Sequence, residues 1–255
     1  MADIAELARI VDDAARKANA ITQLSAKEAL SFEDSYAVQS ASIQRRVARG
    51  EKRVGIKMGF TSRAKMVQMG IDDMIWGRLT DGMMIEDGDT ISLADYVHPR
   101  VEPELAFLLK KDLGWPVTAV EAMAAVEAVA PAMEIIDSRY KAFKFDLGDV
   151  VADNASSSGF VIGPWQSIDV DISNLGMLME FNGRARQIGS SAAILGQPIR
   201  SLVAGARLSA QAGEPLQAGW IVMAGGATAA EALSVGDYVR NSVQRLGSVA
   251  FSVGK

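Results

Sequence analysis

No cysteine occurs in the 255 residues, and only one histidine does. The first absence excludes disulfides, thiolate metal sites, iron–sulfur ligation and cysteine nucleophiles; it also fits a reducing compartment. The second means that a Ser-His-Asp mechanism or a multi-histidine metal site must use His98 or fail. In Tyr96-Val97-His98-Pro99, without a partner motif, His98 reads as a structural or surface residue. A basic excess is missing too: 26 Lys and Arg stand against 31 Asp and Glu, a net charge of −5, which argues against a nucleic-acid partner. There is no apolar run of ~18 residues that would span a bilayer; Ala122 to Ile136 is broken by Glu127, Pro131 and Glu134. The opening Met1-Ala2-Asp3-Ile4-Ala5-Glu6-Leu7 lacks the basic and apolar regions of a secretory signal. The expectation is a cytoplasmic protein with no membrane partner.

What is present is an ordinary globular composition, 49% hydrophobic and 22% charged. Ile4, Leu7, Ile10, Val11, Ala14 and Ala18 recur at three- and four-residue spacing and predict a first helix. A second is expected after Ser31, with Phe32, Tyr36, Ile43 and Val47 inward and Gly50 as its stop. From Val54 the period falls to two: Val54, Ile56, Met58 and Phe60 share one strand face, and Gly55, Lys57 and Gly59 the other. Glycines on either side of Lys57 leave room for a close approach, although an edge-strand lysine facing solvent has the same pattern. Thr118-x-x-Glu121 predicts a helix to Val129, with Pro131 beyond its end. Met177 to Ile188 around Asn182-Gly183 is a hairpin signal. Ser201 to Ala212 is helix-like but interrupted by Gly205, and Trp220 to Ala224 and Tyr238 to Val253 read as late strands. The pattern predicts an α+β fold, a helical N-terminal part on a mixed, mainly antiparallel body.

The informative stretch is Pro99-Arg100-Val101-Glu102-Pro103-Glu104-Leu105-Ala106-Phe107-Leu108-Leu109. As a strand it puts Val101, Pro103, Leu105, Phe107 and Leu109 on a core face. Glu102 and Glu104 then share the other face, about 6.6 Å apart. Pro103 removes a ladder donor, which suggests an edge or a bulge. Glu134 lies in an apolar run, where a carboxylate is costly unless paired or metal-bound. Three carboxylates without cysteine or a second histidine describe a site for a hard cation, Mg2+ or Mn2+. Two alternatives stay open here, a solvated strand face for the first pair and a plain ion pair for the third. An anionic ligand at such a site requires a fixed cation; Lys57 is the best candidate, with Arg139, Lys141 and Lys144 as others. The polar Ala152-Asp153-Asn154-Ala155-Ser156-Ser157 is either a plain loop or a set of donors for a carboxylate or carbonyl.

Together with Lys57-Met58-Gly59-Phe60-Thr61-Ser62-Arg63-Ala64-Lys65-Met66, Trp76-Gly77-Arg78-Leu79-Thr80-Asp81 and Ile136-Asp137-Ser138-Arg139-Tyr140, these segments carry a resemblance. The chain is similar to the hydratase/decarboxylase branch of the fumarylacetoacetate hydrolase superfamily over nearly its whole length. The resemblance implies a mixed β-roll catalytic domain, 76–255, with a helical N-terminal region, 1–75. It implies metal ligation by Glu102, Glu104 and Glu134, catalytic roles for Lys57 and Asp81, and substrate contacts from Asn154, Ser156 and Arg139. The implied activity is metal-dependent decarboxylation of a small 2-oxo diacid, 2-oxohex-3-enedioate, in meta-cleavage aromatic catabolism. Hydration of 2-oxopent-4-enoate is the alternative, and a non-catalytic partner subunit a distant third. Association with the pathway hydratase and with further copies of the chain is also implied. Hydrolytic members use a histidine–glutamate pair to activate water, and no such motif surrounds His98.

Overall fold

The computed structural model describes residues 3–26, 29–62, 66–67 and 70–255. Arg63, Ala64 and Lys65 of the quoted motif lie outside the described residues, as do Met1 and Ala2. Helix α1 (Ile4–Arg16) starts where the Asp3 carboxylate accepts the Glu6 N–H at 3.1 Å. Helix α2 (Phe32–Ala48) starts where the Ser31 hydroxyl accepts the Asp34 N–H at 3.0 Å. Asp12 is buried between them and binds Arg45 at 2.8 Å and Arg49 at 2.6 and 2.7 Å. Ala18, expected on the first helical stripe, instead lies past the helix end with φ +49.

The strands begin with β1 (Arg53–Gly59), β2 (Ile75–Thr80), β3 (Met84–Ile85), β4 (Thr90–Ser92) and β5 (Pro99–Leu109). Helix α3 (Ala119–Ala124) precedes β6 (Val126–Asp137), and α4 (Leu147–Ala152) precedes β7 (Ser157–Ile162) and β8 (Gln166–Ser167). The hairpin β9 (Gly176–Phe181) and β10 (Arg184–Ser190) leads to α5 (Pro198–Gln211), then β11 (Ile221–Met223), β12 (Glu231–Ala232), β13 (Tyr238–Val243) and β14 (Gly247–Gly254). One sheet runs β2-β1-β11-β5-β6-β7-β3, with β12 also on β5 and β8 also on β6; the other runs β10-β9-β13-β14-β4. Val101, Met133 and Ile135 of the first pack against Phe181, Val239 and Phe251 of the second. This is the expected α+β roll. β1 is paired on both sides inside the first sheet, so the helical region ends before Arg53, short of the expected boundary at 75.

Three local expectations change. The helix after Thr118 has its capping box but stops at Ala124. Val126 onward joins β5 in a ladder from Leu109↔Val126 to Pro99↔Asp137, so long-range pairing of β-branched residues overrides the local helix signal. Helix α5 runs unbroken through Gly205, whose bare backbone rests on β1; a Cβ there would stand 3.0 Å from Ile56 Cδ1 and 3.1 Å from Met58 Sδ. Finally, β5 is central rather than an edge. Pro103 is tolerated because its outer neighbour changes there, with β11 pairing Ala106–Leu108 and β12 pairing Arg100 and Val101. Pro131 uses the matching gap between β7 and β8.

Candidate metal centre and its cavity

Glu102 and Glu134 are register partners across β5 and β6, and Glu104 follows two residues on along the same face. Like charges directly opposite on a sheet repel, yet Glu104 and Glu134 are both 0% exposed. One carboxylate oxygen from each of the three residues lies within 4.8 Å of the others. Oε1 of Glu104 and Oε1 of Glu134 have no hydrogen-bond partner although both are buried. Burial, then the charges of Glu134 and Glu102, push the Glu104 carboxyl well above the usual carboxylate range against the opposing pull of Lys57. Acceptor-only oxygens converging in this way fit a divalent cation with oxygen ligands.

Lys57 projects from β1 and its Nζ lies 2.9 Å from Glu134 Oε2. Laid flat at ~4.8 Å per strand, β1 and β6 would be ~14 Å apart, so this contact shows how strongly the sheet curls. The flanking glycines serve that curl. A Cβ at Gly55 would fall 1.9 Å from the Ile221 carbonyl oxygen, and one at Gly59 would fall 2.9 Å from Ile75 Cγ1. The glycines therefore admit the neighbouring strands β11 and β2 rather than a ligand at those two Cβ positions. The three carboxylates, Lys57 and one divalent cation carry no net charge together, so an anionic ligand meets a neutral centre.

Two glycines after β11 complete the setting. Gly225 N–H donates to Glu104 Oε2 at 2.8 Å, and a Cβ on Gly226 would stand 2.5 Å from Glu102 Oε2. In front of Glu102 opens a cavity of about 390 Å3. Lys57, Thr61, Ser62, Ser156 and Thr228 give its lining polar side chains, and Ile75, Ile136, Phe143, Phe145, Val150 and Ala155 give it apolar ones. Lys57 and Glu102 are the ionisable side chains among the described residues that line it.

Ser156 reaches the cavity because Asn154, Ala155 and Ser156 all take left-handed backbone angles, φ 52, 50 and 60. Asn154 was expected to contact substrate, but its amide is spent inside the protein. Oδ1 accepts the Arg78 N–H at 2.8 Å and Nδ2 donates to the Arg78 carbonyl at 2.9 Å. Arg139 is likewise withdrawn: Nε donates to Asp153 Oδ1 at 2.5 Å, one terminal nitrogen to the Asp153 carbonyl at 2.8 Å and the other to the Ser158 hydroxyl. Asp81 is exposed at the far end of the β1–β2 pair, where Oδ1 accepts the Lys52 N–H at 2.9 Å, and it does not line the cavity. In this structure hydrogen-bond partners or strand register keep these three side chains out of the cavity lining. The aromatic wall and the glycine pair were missed by sequence reasoning. Phe143-Lys144-Phe145 and Gly225-Gly226 were the available signals, but neither has a period that assigns it to a site.

The family profile described as fumarylacetoacetate (FAA) hydrolase C-terminal matches residues 54–254. The chain belongs to this family. Among its relatives is a 4-oxalocrotonate decarboxylase of a Pseudomonas species, 59% identical over 98% of this chain and 97% of that one. A solved structure of 4-oxalocrotonate decarboxylase from Pseudomonas putida G7, complexed with magnesium and adipate, superposes with a TM-score of 0.95 at 39% identity, covering 98% of this chain and 97% of that one. A 2-keto-4-pentenoate hydratase of Paraburkholderia xenovorans is 37% identical over 86% of this chain and 83% of its own length.

Proposed function

We propose that the chain is a metal-dependent carboxy-lyase that converts 2-oxohex-3-enedioate, or 4-oxalocrotonate, to 2-hydroxypenta-2,4-dienoate and CO2. The observation that carries this reading is the pairing of a three-carboxylate centre with a cavity whose ionisable lining, among the described residues, is Lys57 and Glu102, the rest of it being largely aliphatic and aromatic. Hydration needs a positioned water and a proton donor at the remote carbon, and the side chains of Ile75, Ile136, Phe143, Phe145 and Val150 supply neither. Release of CO2 needs an electron sink at the 2-oxo end and little polar contact with the departing group, which is this distribution. The 59% identity to a named decarboxylase, against 37% for a hydratase, points the same way.

In this reading Glu102, Glu104 and Glu134 hold Mg2+ or Mn2+. When bound, the cation supplies Lewis-acid stabilisation for negative charge developing on the 2-oxo acid. Lys57 keeps Glu134 compensated and faces the oxo-acid end, where that charge gathers. Ser156, with Thr61 and Thr228, offers hydroxyls to the same end. The substrate is a small molecule, and among the described residues no helix is long and apolar enough to cross a membrane. A cytoplasmic setting, self-association and a complex with the pathway hydratase complete the proposal. The test is to incubate purified protein and Mg2+ with each substrate. CO2 from 2-oxohex-3-enedioate without hydration of 2-oxopent-4-enoate is expected; the reverse selectivity would make the chain a hydratase.

A further inference from the structure

The face of β5 that bears Glu104 and Glu102 continues to Arg100, with Ile136 opposite it on β6. A guanidinium one pleat from a metal-type centre is where a dicarboxylate would seat its second carboxylate. Arg100 is nevertheless absent from the cavity lining, whereas Phe143 is present in it. The Arg100 guanidinium lies 4.6 Å from the centroid of the Phe143 ring. His98 meets that ring edge-on, with centroids 6.1 Å apart and planes at 90°, and its own Nδ1 lies 2.9 Å from the Ser138 carbonyl oxygen. Phe145 packs on the ring as well, at 5.5 Å. Ala142 and Phe143 take left-handed angles, φ 59 and 55, in the turn that holds the aromatic ring there.

We propose that Phe143 shields the cavity from Arg100, and that the wall of Phe143, Phe145 and Ile136 receives the C6 carboxylate without giving it a cation. Arg100 and His98 are positioning residues that fix the ring. The inference rests on the decarboxylase reading. In that reaction the C5–C6 bond breaks and its electron pair stays on C5, spreading through C3=C4 to the C2 oxygen. C6 leaves as neutral CO2, and a proton from solvent completes the dienol. A carboxylate gripped by a guanidinium is stabilised as the anion and resists this step; an apolar wall favours it. The shield therefore sacrifices diacid affinity for rate.

The test compares wild type, Phe143→Leu, Phe143→Ala and Phe143→Ala with Arg100→Gln, all with Mg2+. Phe143→Ala is expected to bind adipate about threefold or more tighter while kcat for 2-oxohex-3-enedioate falls about tenfold. Affinity for the monoacid 2-oxopentanoate stays as in wild type. Adding Arg100→Gln removes the gain in adipate affinity, and Phe143→Leu, the conservative variant, falls between. Adipate affinity that is unchanged or lower in Phe143→Ala, or a gain that survives the loss of Arg100, overturns the shield. Failure of wild type to release CO2 overturns the decarboxylase reading instead, since the adipate comparison needs no turnover.

Discussion

At the scale of single residues, Glu104 shows how function is set against stability. It is fully buried, beside two other carboxylates, with one oxygen unpaired. Its carboxyl is held above the usual range, so the folded metal-stripped protein retains a proton that the unfolded chain gives up. Stability from this group is present below the ordinary carboxylate pKa and is lost as pH rises through the raised value. Glu104→Gln is therefore expected to raise the melting temperature of metal-stripped protein at neutral pH by about 2–4 °C. The same variant should abolish the stabilisation that Mg2+ gives the wild type. A thermal melt with and without Mg2+ checks both, and a variant that still gains from Mg2+ would remove Glu104 from the ligand set. Lys57→Met is expected to keep Mg2+ binding by calorimetry while kcat/KM falls on the order of 100-fold; normal turnover would contradict the charge argument. Much of this site was legible as residue types. Glu102 and Glu104 followed from period two, and Glu134 from a charge inside an apolar run. Their convergence was expected from the shared chemistry and the family resemblance, but the Glu102↔Glu134 register that produces it, across strands 32 positions apart in sequence, was not legible.

At the scale of elements, one device holds the site from behind and another holds the helical region together. The loop after α4 is pinned to β2 by the Asn154 amide, and Gly77 lets that loop approach, since a Cβ there would stand 2.5 Å from the Asn154 carbonyl oxygen. Asn154→Ala is expected to lower the unfolding free energy by about 2 kcal/mol even without ligand, as denaturant titration would show. Unchanged stability with lost ligand binding would return the amide to the substrate. The α1–α2 pair is clamped by Asp12. Burial alone would raise that carboxyl, but Arg49 and Arg45 more than offset it and hold it below its ordinary value. The clamp is thus fully present above about pH 4 and is lost as pH falls through the depressed value. Melting temperature should fall more steeply below pH 4 in wild type than in Asp12→Asn; parallel curves would contradict the clamp. Helix starts at Ser31 and Thr118 were readable because capping is local. The end of α3 was not, because Val126 answers to β5 rather than to its own neighbours. The partners of Asn154 and Arg139 were not legible for the same reason: a polar residue in a characteristic motif does not announce whether its partner is a ligand or the protein.

At the scale of the whole molecule, the curled first sheet is what converts a strand pattern into a cavity. It brings Lys57 on β1 to Glu134 on β6 and places the glycine pair after β11 against Glu102 and Glu104. The second sheet covers its convex side, so both faces of β5 are buried and the centre is rigidly backed. The account rests on a hard cation at three converging carboxylates, with an oxo-acid end on one side of it and an apolar wall on the other. The most direct measurement is a crystal structure grown with Mg2+ and a slow or inert 2-oxo diacid. The account predicts an ion bound by Glu102, Glu104 and Glu134, the 2-oxo acid end beside Lys57 and the remote carboxylate against Phe143 and Phe145. Density for an ion elsewhere, or the three side chains parted around an empty space at saturating Mg2+, would contradict it.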